Sequence, residues 1–410
     1  MAGIGDWVRV RFGWAANPTQ ALSGVTWTDE SARVESVSIR RGRSTWPGVW
    51  PAGVCTVVLD ATSGDLSLAD ATYGARLKPG RAVTVEGKDS GGTWRSLFTG
   101  HVIPRGGYKP TDRTPDSILT VTAYDMLGTL AEVPFAGLTP SGADPASWLT
   151  DAATAGGYGA IDATVDTGAS TLMTDALEWS GTLAGFMTQI AASDGGELYC
   201  LADGELVFDS RDAAVFKARL SSSQATISDD AGAGAGTVAA LIDPGVRRTW
   251  GDRAATTVTV TDVDGTVHTA TATGDIGYTT GSYAVGQTFA NASHAASIAE
   301  FWAAQTSAVD AWPASCSVLV AGAQGIVDAD HQDFACNRDL RDWVTFEHTE
   351  PGRSQESHLV SIESIGHAIG PNGWRMDLTF QSTDPVTATG LPGWFVIGTS
   401  LIDGTDVLAY

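Results

Sequence analysis

The sequence predicts a mainly β protein with a smaller α+β region in its middle. Apolar residues alternate with polar ones in the first third of the chain and again near its end. Between these regions, apolar residues recur at helical spacing. Glycine and proline clusters separate the alternating runs. With 410 residues, 43% of them apolar, the chain is long enough for two or three domains.

Residues 1–132 are predicted to form the first β domain. Val8, Val10 and Phe12 alternate with arginines, and Val37 and Ile39 alternate with Ser36, Ser38 and Arg40. The same period of two returns in "RAVTVEG" and "ILTVTAYD". Such alternation is typical of half-buried strands, so an antiparallel sandwich or barrel is expected here.

Residues 133–230 are predicted to form a small α+β domain. "DPASWLTDAATAGGY" and "SGTLAGFMTQIAASDGG" place apolar residues on one face of a helix. In the second segment, Ser180 is the expected N-cap and Gly195 the expected stop. "ELYCLADGELVF" then predicts a hairpin that turns at Asp203-Gly204.

Residues 231–384 are predicted to form a second β domain with one flanking helix, and residues 385–410 a C-terminal extension. The glycine-rich run at 229–240 has the composition of a flexible linker. Hairpins are expected to turn at Asp264-Gly265 and Asn372-Gly373, and "SHAASIAEFWAAQTSAV" predicts the helix.

The two β regions resemble each other in pattern. "RAVTVEG", "LFTGHVI" and "ILTVTAYD" correspond in order and rough spacing to "DWVTFEH", "HLVSIESI" and "WRMDLTF". Short β patterns also recur by chance, so two unrelated β domains and two copies of one barrel both remain open at this point.

Charge and cysteine content narrow the class of protein. The net charge of −23 argues against general binding of nucleic acid, which needs a basic surface. Twenty of the 24 basic residues are arginine, the cation that suits interfaces. Cys55 and Cys200 are expected to be buried thiols. The start of the sequence lacks the apolar run of a signal peptide, and no stretch is long and apolar enough to span a membrane.

No standard catalytic motif is present, so we expect a protein that is not an enzyme and has no metal or cofactor. The seven histidines show no metal-ligand spacing, and the only glycine-rich run, "GAGAG", lacks the lysine of a phosphate loop. "DVDG" is explained by a hairpin turn. Fourteen tryptophans leave a cell-wall glycan-binding or glycan-hydrolysing protein as an alternative, although core packing is their default role.

The stretch "SIRRGRSTWPGVWPAGVCTVVLD" combines three arginines with two tryptophans in an otherwise acidic chain. A nucleic-acid site would need a second basic cluster, and an active site would need an acid, base or nucleophile in the loop. Arginine and tryptophan dominate interface energetics. We therefore predict that Arg41, Arg43, Trp46 and Trp50 lie at contacts between chains; the alternative is that the tryptophans cover the end of their own barrel.

Taken in order, several segments resemble the minor tail proteins of long-tailed, siphovirus-like bacteriophages. They are "VSIRRGR", "AGVCTVVLD" with "SGDLSLAD", "YGARLKPGRAVTV", "WRSLFTGHV", "LTVTAYDMLGTL" and, near the end, "HLVSIESIGHAIGPNGWRMDLTF" and "GWFVIGTSLIDGTDVLAY". More narrowly, they are similar to the tail-tip baseplate hub proteins of phages that infect actinobacteria. Many relatives continue into fibre or enzymatic modules, and the compact C-terminus expected here is a departure from them.

The resemblance implies two tube-like antiparallel β-barrel domains plus a small α+β domain, the phage tail hub architecture. It further implies a homotrimer at the virion tail tip, assembled in the host cytoplasm, in which six barrels match a six-fold tail tube. Its partners would be the distal tail protein, tail tube and tape-measure protein above and tip or fibre proteins below, with host-envelope contact through the tip and genomic DNA only in transit. A hexameric distal tail protein, which usually carries one barrel, is the alternative.

Overall fold

The computed structural model describes most of the chain between residues 6 and 383. The described residues are 6–44, 49–63, 66, 76–111, 117–168, 170, 172, 177–211, 213, 222–230, 236–240, 247–250, 255–271, 282–306, 311–322, 328–349 and 354–383. In this part of the chain the structure is mainly β, with a smaller helical share, so the predicted fold class is confirmed.

Eight strands precede the α+β region. They are β1 (Val8–Gly13), β2 (Thr28–Asp29), β3 (Val34–Gly42), β4 (Val54–Asp60), β5 (Ala82–Lys88), β6 (Trp94–Val102), β7 (Tyr108–Thr111) and β8 (Ile118–Tyr124). The predicted alternation in β1 is confirmed, because Val8, Val10 and Phe12 are fully buried.

The middle region joins three helices to short strands. Its elements are α1 (Met126–Ala131), β9 (Pro134–Leu138), α2 (Pro145–Ala155), β10 (Ala163–Val165), β11 (Leu177–Thr182), α3 (Leu183–Ala192), β12 (Glu197–Cys200) and β13 (Leu206–Asp209). Phe186 of α3 anchors an aromatic cluster, with its ring centroid 5.0 Å from that of Phe135 and 6.1 Å from that of Trp148. This cluster buries the apolar face that the helical spacing predicts.

The remaining elements form the second β region and its helices. They are β14 (Thr226–Ser228), β15 (Thr237–Ala239), β16 (Arg247–Trp250), β17 (Thr257–Thr261), β18 (Val267–Thr271), β19 (Ser282–Gln287), α4 (Ala292–Thr306), β20 (Ala311–Gly322), α5 (Ala329–Asn337), β21 (Trp343–Thr349), β22 (Gln355–Gly370) and β23 (Gly373–Ser382).

The ends of α3 differ from the sequence-based expectation. Ser180 lies in β11, which pairs with β9, and Thr182 is the N-cap, accepting a hydrogen bond from the backbone N–H of Gly185 at 3.2 Å. The helix ends at Ala192, three residues before Gly195, which adopts a left-handed φ of 73° in the turn that follows. Sheet pairing therefore displaces the helix start by two residues.

The predicted linker at 229–240 is also partly wrong. Thr237–Ala239 forms β15, which pairs in parallel with β14, while residues 231–235 lie outside the described part of the chain. By contrast, the three predicted hairpins are confirmed. Gly204, Gly265 and Gly373 have φ values of 91°, 84° and 127°, which explains why glycine occupies each turn.

The two β regions share one strand order, which favours the repeat over two unrelated β domains. In the first, β3, β4, β5, β6 and β8 lie side by side in the order β5-β6-β8-β4-β3; in the second, β16, β20, β21, β22 and β23 lie in the order β21-β22-β23-β20-β16. Every neighbouring pair in both series is antiparallel. The sequence similarity therefore reflects two copies of one topology.

The two copies are joined edge to edge at a seam. One edge of β22 pairs with β21 through residues 355–361 and then with β3 through residues 364–369, while the other edge pairs with β23. Glu363 lies at the handover, where a register shift interrupts the pairing of β22 with β23. The seam merges both copies into a sheet that comprises 15 of the described strands.

Candidate functional site: a buried arginine joint and an open sheet face

The arginine-rich stretch predicted to lie between chains surrounds this seam. Arg41 and Arg43 are 2% and 3% exposed within the single chain, and Trp50 is also buried. Trp46 lies outside the described residues. Arg40, by contrast, is exposed, because alternation along β3 turns it to the opposite face of the sheet from Arg41.

Arg43 is held by two carboxylates from distant parts of the chain. Its Nε donates to Glu363 Oε2 at 2.6 Å, and its Nη2 donates to Glu197 Oε1 at 2.7 Å. Its guanidinium also lies 4.4 Å from the ring centroid of Trp50, whose ring packs 5.1 Å from that of Tyr199. Planar guanidinium suits this combination of charge-assisted bonds and stacking, which lysine could not reproduce.

Arg41 forms a second bridge. Its Nη1 donates to Asp339 Oδ1 at 2.6 Å, and the other oxygen of Asp339 accepts the backbone N–H of Ala202 at 2.8 Å. Asp339 thereby connects β3 with the hairpin between β12 and β13.

Arg341 completes the cluster from a strained position. Among the described residues it is the one non-glycine residue with a positive φ, at 68°. Its Nε lies 3.0 Å from Glu197 Oε2 and its Nη1 lies 3.5 Å from Glu363 Oε1. A left-handed backbone is unfavourable for arginine, so these contacts offset a local cost.

The charges of this cluster balance within the chain. Burial raises the pKa of Glu197, but the positive charges of Arg341 and Arg43 outweigh it and hold that pKa below its usual value. Burial lowers the pKa of Arg341, because it disfavours the charged form. The negative charges of Glu197 and Glu363 outweigh this effect, so the pKa of Arg341 is raised above its usual value. Glu197 and Arg341 are therefore held in their charged forms, and each of them has a neighbour of opposite sign.

We call the six residues Arg41, Arg43, Glu197, Asp339, Arg341 and Glu363 the arginine joint. It links β3 of the first copy, β12 of the α+β region and β22 of the second copy. Sequence reasoning identified Arg41 and Arg43 but none of their partners, which lie 154–320 residues away in Glu197, Asp339 and Glu363. The contact of Arg41, Arg43, Trp46 and Trp50 with another chain stays a prediction; the acidic partners expected from a neighbour are supplied here by the same chain.

The opposite side of the seam is an open face of small, polar and charged residues with a few apolar ones. Side chains of paired strands form rows across it, and one row runs Leu319, Arg375, Ala368, Ser38, Thr56 and Thr122. A second row runs Ser317, Asp377, Gly366, Arg40, Val54 and Tyr124. The face is continuous across both copies because the seam keeps their strands in register.

The described residues offer little for metal or acid–base chemistry. No group of three histidine, cysteine or acidic residues among them is placed to hold a metal ion. Burial lowers the pKa of His101 to about 4 and that of His367 to about 3. The Nδ1 atom of His367 accepts a hydrogen bond from Trp374 Nε1 at 3.1 Å. Cys55, Cys200, Cys316 and Cys336 are buried thiols, as predicted for the first two. No helix of the described part is long and apolar enough to cross a membrane.

Comparison with known proteins places the fold. No protein-family model matches the chain, and no curated protein matches it. Among the solved structures that match it are two that share its fold over nearly their whole length. The tail protein from Neisseria meningitidis MC58 is 15% identical, with a TM-score of 0.59, and the match covers 92% of this chain and 97% of that one. The prophage MuSo2 43 kDa tail protein from Shewanella oneidensis is 14% identical, with a TM-score of 0.53 and the same coverage. The chain therefore has the fold of these tail proteins.

Proposed function

We propose that the protein is a structural component of a bacteriophage tail tip, where three copies form a baseplate hub. The observation that carries the proposal is the repeated strand order, with β3 of one copy paired to β22 of the other. Three such chains place six equivalent units in a ring, which matches the six-fold symmetry expected of a tail tube. The fold shared with the two tail proteins supports the same function.

In this proposal the hub continues or closes the tail tube, connects it to tip or fibre proteins and lies on the path of DNA ejection. Its neighbours would be the distal tail protein, the tail tube and the tape-measure protein, in a siphovirus-like phage of an actinobacterial host. A distal tail protein is disfavoured, because that class usually carries one barrel per chain and this chain contains two copies.

We also propose that the hub is not an enzyme. Trp7, Trp14, Trp50 and Trp148 are all buried, so these four line no open glycan-binding groove. Their burial supports core packing as the role of these residues.

An acidic lining that repels DNA phosphates would follow from the net charge if acids faced the channel. Arg40, Arg247 and Arg375 line the open face beside Asp377, so this face would not supply such an acidic lining.

Native mass spectrometry and cryo-electron microscopy of the purified protein test the hub. We expect a species of three times the 42.5 kDa chain mass, and end-on views with three-fold symmetry and six lobes. A six-fold ring with one chain per lobe would instead favour a distal tail protein. A chain that stays monomeric both at high concentration and in the presence of tail-tube protein would overturn the proposal.

A further inference from the structure

A groove crosses the seam on the open face and joins strands of both copies. Its two adjoining parts have volumes of about 460 and 470 Å³. The first lies among β3, β16, β20, β22 and β23, and the second extends past Ser38 and Ala368 toward Val58 of β4. Nothing in the arginine joint uses this groove, since the joint lies on the other side of the sheet.

One end of the groove is cationic. Arg40, Arg247 and Arg375 line it, together with the hydroxyl groups of Ser315, Ser364 and Thr379. Arg375 is paired with Asp377, with 2.8 Å between its Nε and the carboxylate. Arg40 and Arg247 are exposed, and neither forms an ion pair with any described residue. Two uncompensated guanidinium groups in a chain of net charge −23 favour an anionic ligand.

The other end of the groove is apolar. Leu319 is 43% exposed, which is unusual for a large hydrophobic side chain in the described residues, and it lines the groove with Val58 and Ala368. Leu319 lies four residues along β20 from Ser315, the cross-strand partner of Arg247. A strand rises about 3.3 Å per residue, so Arg247 and Leu319 are separated by roughly 13 Å along the strand direction.

These features favour a peptide over a nucleic acid. A nucleic acid carries phosphates along its whole length and needs cations along the whole groove. Here the unpaired cations Arg40 and Arg247 lie at one end, whereas Arg375, beside the exposed Leu319 at the other end, is neutralised by Asp377. A carboxylate-bearing peptide with an apolar side chain four or five extended residues away matches both ends at once.

We propose that this seam groove binds an extended peptide segment of a partner protein, with carboxylates at the Arg40–Arg247 end and an apolar side chain at the Leu319 end. The segment contacts β3 and β4 of the first copy and β20, β22 and β23 of the second. Binding to the isolated chain requires no trimer, so this inference stands independently of the hub.

Fluorescence anisotropy with synthetic peptides tests the groove. The probe is a fluorescein-labelled peptide with two aspartates separated from two leucines by four glycine or serine residues. We expect it to bind, and we expect a peptide of the same composition with aspartates adjacent to leucines to bind at least fivefold more weakly. A fluorescein-labelled oligothymidylate of equal charge should also bind at least fivefold more weakly.

Exposed-site variants assign the two ends. Arg40→Gln and Leu319→Ser should each weaken the spaced probe about threefold to tenfold, the effect of losing one partly exposed contact. Arg105→Gln, which removes an exposed charge in the turn after β6, should leave the affinity unchanged. Circular dichroism confirms that the variants are folded. No binding of the spaced probe at 1 mM, equal binding of the oligothymidylate, or equal effects of Arg40→Gln and Arg105→Gln would overturn the proposal.

Discussion

Arg40 and Arg43 differ in energetic role because they lie on opposite sides of the sheet. Arg40 is exposed on the open face, whereas Arg43 is 3% exposed between two carboxylates. Arg43→Gln would leave Glu197 and Glu363 short of a buried positive charge, so we expect a loss of about 3–5 kcal/mol in the free energy of unfolding. Arg40→Gln, the matched control, should cost less than about 0.5 kcal/mol. Urea denaturation measures both, and equal losses would contradict the joint as a stabilising element.

His367 makes folding sensitive to acid. Burial, and then the charge of Arg41, lower its pKa to about 3, whereas an unfolded histidine titrates at its usual value near 6.5. Between these two values the unfolded chain binds a proton that the folded chain excludes, so stability falls as the pH falls through this window. The slope is at most about 1.4 kcal/mol per pH unit.

The variant His367→Gln isolates this contribution, because glutamine keeps an acceptor for Trp374 Nε1 and does not titrate. Unfolding free energies measured from pH 7 to pH 4 should fall less steeply in the variant than in the parent. An identical pH dependence of both proteins would show that His367 is protonated in the folded state.

The seam between β3 and β22 depends on a glycine. Gly42 has a φ of 87°, and a Cβ atom there would lie 2.1 Å from the carbonyl oxygen of Glu363. Gly42→Ala must therefore push β3 away from β22, and we expect it to destabilise the protein by more than the ~1 kcal/mol that positive φ alone costs. Gly157 has a φ of 84° with no atom within 4 Å of such a Cβ, so Gly157→Ala reports the cost of φ alone. Equal thermal shifts of the two variants would contradict close approach at the seam.

The limits of sequence reasoning are visible in the same strands. The alternation of apolar and polar residues predicted β3 and β22, because burial alternates along each strand. The same alternation puts Arg41 on the same face of β3 as the buried Val37 and Ile39. It could not predict that β3 pairs with β22, since that contact joins residues more than 300 positions apart. A charged residue at a buried position, such as Arg41 or the bulged Glu363, was the signal that a distant partner existed, but it did not say which.

For the whole molecule, the shared sheet predicts one cooperative unfolding transition. The seam makes the two copies parts of one sheet, and the arginine joint ties both of them to the α+β region. Unfolding one copy would expose the edge of β3 or β22 and leave buried charges without partners, which raises the free energy of any half-folded state. Calorimetry should therefore show a single peak whose calorimetric and van't Hoff enthalpies agree.

The variant Arg43→Gln tests the cause of this cooperativity. Weakening the arginine joint lowers the free energy of a half-folded state relative to the folded protein. We therefore expect the calorimetric peak to move to lower temperature and to broaden. The van't Hoff enthalpy should then be smaller than the calorimetric enthalpy. Arg40→Gln, which leaves the joint intact, should keep the parent's single sharp peak. Two resolved transitions in the parent protein would show instead that the copies fold independently and that the seam contributes little to their coupling.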